Sequence, residues 1–112
     1  MSKFEDLYKK QIEFQEYITG VKCPGDNLKE FSYHIQAMVE ELGEVMKSDK
    51  RWKTHRNDRF EPAEKLDEIA DVFITAINIA VHSGYSAQDI LDTIENKIQI
   101  NFQRYSEGKA HD

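Results

Sequence analysis

Residues 69–82 read IADVFITAINIAVH, apolar almost all the way round a helix, with a few polar side chains falling into line. Counted at about 100° per residue, Glu68, Asp71, Thr75, Asn78 and His82 occupy a band about 80° wide along one side. A helix this apolar is expected to be buried on most sides. An unpaired carboxylate among such residues costs several kcal/mol, so Glu68 and Asp71 need protons or cations close by.

Outward from this stretch, Pro62 suits the first turn of the helix, and Gly84 stops it after His82 or Ser83. Ser86-Ala87-Gln88-Asp89 starts a fourth helix with a capping-box pattern, and Ile90, Ile94, Ile98, Phe102 and Tyr105 are expected to line its buried side. Upstream, Phe4, Leu7, Tyr8, Ile12, Phe14, Tyr17 and Ile18 mark a first helix that ends at Gly20. VKCPGDN connects it to a second helix, capped by Asp26 or Asn27, which runs to about Ser48. Phe31, Ile35, Met38, Leu42 and Val45 form that helix's apolar stripe. Four helices on short links predict an all-α, four-helix bundle, with residues 1–112 as one domain.

Composition agrees. Charged residues make up 32% with only 5 Gly and 2 Pro, which favours helices over a turn-rich β fold. A hydrophobic share of 39% suffices for a core and is too high for a disordered acidic chain. The single cysteine, Cys23, excludes an internal disulfide framework and fits a reducing compartment. No apolar run approaches the roughly 20 residues of a membrane span, and the start MSKFEDLYKKQ does not read as a signal peptide. A cytoplasmic location is expected.

The net charge of −6 argues against a nucleic-acid polymer as partner. It is unevenly spread: Lys47–Arg59, KSDKRWKTHRNDR, carries +4 and the remainder −10. The basic stretch reads either as a solvated loop or as a phosphate-facing arm, with a mobile segment expected at about 49–61. Trp52 lies inside it where no core stripe requires an aromatic, so Trp52 and Lys53, with Lys50, Arg51 and Arg56, are candidates to meet a ligand or a neighbouring subunit.

On the second helix, Glu41 and Glu44 lie three apart beside the apolar stripe. Two antiparallel helices can therefore present Glu41, Glu44, Glu68 and Asp71 to one point. Acid-x-x-acid spacing alone is common here, as in Glu61/Glu64, Glu64/Asp67 and Asp89/Asp92, and those pairs read as solvated faces. The two chosen pairs differ because they border or interrupt apolar runs. Four oxygen donors without Glu-x-x-His pairs favour Mg²⁺ or Mn²⁺ over zinc or a di-iron centre.

These residues resemble the MazG-like, all-α nucleoside triphosphate pyrophosphohydrolases, whose signature is EExxE followed by ExxD. Glu40-Glu41-Leu42-Gly43-Glu44 matches the first half and Glu68-Ile69-Ala70-Asp71 the second, with 23 residues between. Residues 97–105, KIQINFQRY, are similar to the KxxxNxxRY ending of the deoxynucleotide-cleaving members. The resemblance spans about residues 28–105. It implies cleavage of a (d)NTP to the monophosphate and pyrophosphate, with Mg²⁺ (or Mn²⁺) held by Glu41, Glu44, Glu68 and Asp71. It further implies a homodimer or a dimer of dimers, a homotetramer. Glu40 joins the shell, orients a ligand or faces solvent, and one carboxylate can act as the base.

Lys97, Asn101 and Arg104 share one side of the fourth helix, suited to triphosphate oxygens. Asn78 reads as a sugar contact or as a satisfied core amide. His34 reads as a base or ribose neighbour, or as a packed histidine, and His82 as structural. Phe14, Tyr17 and Phe31 are candidates for stacking on the base or for the core. Some relatives place a Trp-Lys pair soon after the first acidic motif; Trp52-Lys53 comes later. The expected activity is house-cleaning of non-canonical or excess (d)NTPs. Its rivals are a dimeric dUTPase-like enzyme and a non-catalytic, metal-binding helical oligomer.

Overall fold

The computed structural model describes residues 2–53 and 59–108. They form four helices: α1 (Lys3–Thr19), α2 (Leu28–Ser48), α3 (Pro62–Val81) and α4 (Ala87–Ser106). No strand occurs among the described residues, and no helix there is long and apolar enough to cross a membrane. The ends follow local chemistry. Ser2 with Glu5 and Ser86 with Asp89 close capping boxes on α1 and α4. Of the two candidate caps for α2 it is Asn27 whose side chain accepts from the Glu30 N–H, at 3.1 Å. Pro62 occupies the first turn of α3, and Gly20, at φ 71°, ends α1 in the left-handed region that glycine enters freely.

α3 packs broadly along α2 and more narrowly on α1. Both ends of the α2–α3 pair are clamped. At one end, the Gly25 N–H donates to Val81 O (3.1 Å) and the Asn27 N–H to His82 O (2.8 Å), and Asp26 and Ser83 form an isolated antiparallel bridge. At the other end, Asp49 accepts from Arg51 Nε (2.8 Å) and Nη2 (2.7 Å) and from Lys65 Nζ (2.8 Å), while Arg51 lies 3.5 Å over the Phe60 ring. Residues 27 and 82 are thus level, as are 49 and 65, so α2 and α3 run antiparallel in a set register.

The apolar core is small: Tyr8, Cys23, Ala80 and Val81 are buried, with Phe4, Ile12, Ile77, Ala87 and Ile90 against them. Here the structure departs from two expectations. α3 is not buried on most sides, since Leu66 and Phe73 are 67% and 69% exposed. Nor do Ile94, Ile98, Phe102 and Tyr105 line a buried side of α4: only Ile90 packs, and every described residue from 92 onward is exposed. α4 meets α1 at its start, where Tyr8 donates its hydroxyl at 2.6 Å to O of Tyr85, which lies just before α4, and it makes no comparable contact with α2 or α3. The result is four helices without closure of a bundle inside one chain. The radius of gyration, 17.2 Å, exceeds the roughly 13 Å of a compact domain of this length.

Candidate functional site

The antiparallel register sets Glu41 of α2 level with Glu68 and Asp71 of α3. One carboxylate oxygen from each of the three lies within 4.8 Å of the other two. Among the described residues none of the three has an ion-pair partner. Glu44, one turn on, adds its charge to the group while pairing with Lys47 at 3.5 Å. Partial burial, followed by the charges of Asp71, Glu44, Glu41 and Glu64 in that order, raises the Glu68 carboxyl above its usual pKa. Glu68 thus feels the charge of every other acid in the group. The donors are all hard oxygens, which fits Mg²⁺ or Mn²⁺.

Glu40 is exposed, about 100° round α2 from Glu41. Glu64 is a contributor that its spacing did not distinguish, because as one of several acid-x-x-acid members it resembled a solvated face. Its position one turn before Glu68 on the same side of α3 was the available signal.

The polar band of α3 continues past the acids. Thr75 Oγ1 donates to Asp71 O at 2.8 Å, which occupies the hydroxyl within the helix. Asn78 is a buried core amide: Gln11 Nε2 donates to its Oδ1 at 2.8 Å and its Nδ2 lies 3.5 Å from His34 Nδ1. His34 is buried too, two turns of α2 before Glu41, about 10 Å along the helix axis. Burial lowers the pKa of His34 and of His82, and for His34 the neighbouring His82 adds to the effect against an opposing pull from Glu30. Neither histidine joins the acids.

Lys97, Asn101 and Arg104 lie on the exposed length of α4, past the Ala87 and Ile90 turns that pack on the core, and among the described residues no hydrogen bond or ion pair joins them to the carboxylates. Phe14 and Tyr17 are exposed on α1 and Phe31 is half-buried. Trp52 is exposed, its Nε1–H donating to Met46 O at 3.4 Å, and Lys53 Nζ lies 5.4 Å from its ring. Arg51 is bound to Asp49 rather than free for a ligand. Arg56, His55 and the middle of the expected mobile segment lie outside the described residues.

Comparison of the chain with known protein families, with curated proteins and with solved structures gives no match.

Proposed function

We propose that this chain is a MazG-like, Mg²⁺-dependent nucleoside triphosphate pyrophosphohydrolase. It takes a (d)NTP and water to the (d)NMP and pyrophosphate and clears non-canonical or excess nucleotides in the cytoplasm. One observation carries the reading: oxygens of Glu41, Glu68 and Asp71 share a small volume, with Glu44 beside them and no cation offsetting the three among the described residues. The EExxE and ExxD resemblance rests on the same acids, and the KxxxNxxRY resemblance of residues 97–105 adds a second segment to it.

Glu41, Glu68 and Asp71, with Glu44, would hold Mg²⁺, or Mn²⁺ in its place. When bound, the ion supplies charge neutralisation for a triphosphate and acidifies a water. The helices contribute position: side chains on two clamped helices hold the oxygens without loop motion. Lys97, Asn101 and Arg104 offer donors for the phosphate oxygens.

The reading includes a homodimer, or a dimer of dimers. A groove of about 610 Å³ between α1 and α3, walled by Phe4, Leu7, Leu66, Phe73 and Ile74, is apolar, and α4 carries an exposed stripe of Ile94, Ile98 and Phe102. Seated in a second copy's groove, α4 would run beside the turns of α3 that bear Glu68 and Asp71, and so bring its basic side to them.

The test is pyrophosphate release from a (d)NTP panel with Mg²⁺. Glu41→Gln and Asp71→Asn should each abolish release while the far-UV circular dichroism persists. Cleavage confined to dUTP would assign the dUTPase-like reading, and cleavage of nothing with either Mg²⁺ or Mn²⁺ would leave a metal-binding oligomer.

A further inference from the structure

The far end of the α2–α3 interface carries donors of another kind. His34 and His82 are 6% and 0% exposed, and their rings stack in parallel with centroids 5.2 Å apart. Glu30, one turn before His34, places Oε2 3.8 Å from His34 Nε2. One ligand-capable atom from each of Glu30, His34 and His82 lies within 4.8 Å of the other two.

His82 is the informative member. Its Nε2 meets Gln15 Oε1 at 2.8 Å, whereas Nδ1 is buried and has no hydrogen-bond partner among the described residues. With the Gln15 carboxamide oriented so that its oxygen faces Nε2, that nitrogen carries the proton and Nδ1 keeps its lone pair. Buried polar atoms are ordinarily satisfied, and a lone pair on an imidazole flanked by a second imidazole and a carboxylate suits a cation. The Gln15 bond is the kind of outer support that fixes the tautomer of a metal-binding histidine.

We propose that Glu30, His34 and His82 form a second metal site, which takes a transition ion such as Zn²⁺ rather than Mg²⁺. Two imidazoles and one carboxylate are a ligand set for a borderline ion, with a fourth position left to water. An opening of about 250 Å³ beside Glu30 and His34, lined also by Gln15, Thr19 and Tyr33, gives entry. His34 is supported from behind by Asn78 and Gln11. Turning both amides by half a turn leaves the heavy-atom pattern in place and lets Nδ1–H donate, freeing Nε2 as the ligand atom. The site joins the start of α2 to the end of α3, where the Asn27–His82 backbone bond already holds them. It uses none of the acids of the proposed nucleotide site and stands apart from that reading.

The test is calorimetric titration of untagged, chelator-stripped full-length protein with Zn²⁺ in excess Mg²⁺, with Co²⁺ as a visible-absorption probe. The expected result is one Zn²⁺ per chain with a Kd below about 10 µM and the strong absorption of four-coordinate Co²⁺. Glu30→Gln and His34→Gln should each weaken Zn²⁺ at least about tenfold. Glu41→Gln/Asp71→Asn should leave it unchanged. Glu30 is only half-buried, so E30Q keeps the test usable if H34Q does not fold, as circular dichroism will report. Weaker wild-type binding, or Zn²⁺ binding that survives E30Q and disappears in the acid double variant, would overturn the proposal.

Discussion

Phe102→Ala/Ile98→Ala tests whether α4 belongs to a second copy. In one chain Phe102 is 69% and Ile98 51% exposed. Full burial of such a side chain is worth about 1.5–3 kcal/mol, so covering what remains open contributes about 1–2 kcal/mol for Phe102 and about 1 kcal/mol for Ile98. A two-fold interface uses each residue twice, which brings the total to about 4–6 kcal/mol, or a rise in dimer Kd of about 10³- to 10⁴-fold. Alanine keeps α4 helical, so the loss falls on association rather than on the helix. Sedimentation equilibrium from about 0.01 to 100 µM spans the expected change. Activity adds a sharper reading. If Lys97 and Arg104 serve the partner's acids, an equal mixture of Glu41→Gln and Arg104→Ala chains, each inactive alone, regains about a quarter of wild-type activity, because half the dimers then hold one intact site of two. A wild-type chain that sediments as a monomer throughout, or a double variant with unchanged Kd, would refute the dimer. A dimer whose mixture stays inactive would refute supply in trans.

Tyr8→Phe removes the 2.6 Å bond to Tyr85 O and should cost about 1–1.5 kcal/mol, read as a Tm drop of roughly 4–8 °C per kcal/mol. Burial first, then the charge of Asp89, pushes the Tyr8 hydroxyl from 10.0 up to about 12. The neutral form is the one the fold favours, so this stability is fully present below pH 10 and is lost as pH rises towards about 12; denaturant titrations across that window should show a steeper fall for wild type than for Tyr8→Phe. Gly43→Ala places a methyl where nothing lies within 4 Å of the added Cβ, and should stabilise α2 by about 0.5–1 kcal/mol. Gly84→Ala should do the reverse by about 1–2 kcal/mol, since Gly84 sits at φ +89°, a conformation an L side chain resists; urea midpoints of the pair should move in opposite directions.

The helices were legible because caps and stops are local. Ser86 with Asp89, Pro62 and Gly20 each act within one turn, and each element begins and ends where those residues put it. The convergence of Glu41 with Glu68 and Asp71 was legible for a second reason: a polar band on a nearly all-apolar helix has to face something. What periodicity does not carry is the origin of the cover. The stripe Ile94, Ile98, Phe102 looks the same whether α1, α3 or another molecule lies over it, and so its exposure came only with the structure. Asp49 was invisible for a related reason. In KSDKRW it reads as a stray acid in a basic run, and its partner Lys65 is sixteen residues away.

Asp49 also changes what the basic segment is for. Three carboxylates gathered without a paired cation among the described residues push α2 and α3 apart, and a slip of one residue along either helix would turn its acids by about 100° and disperse them. The repulsion therefore has to be opposed elsewhere on the same pair of helices, on both sides of the acids. One opposing clamp is the backbone exchange of Gly25 and Asn27 with Val81 and His82. The other is Asp49, which takes both arms of Arg51 and the ammonium of Lys65 and is held well below the usual carboxylate range chiefly by the Arg51 bond, with Lys65 next. A run of cations that reads as a solvated loop or a phosphate arm thus spends Arg51, and with it the α3 residue Lys65, on keeping α2 and α3 in register. Lys47, at the end of α2, is paired with Glu44 beside the acids, so the run also meets the acidic group at its first residue.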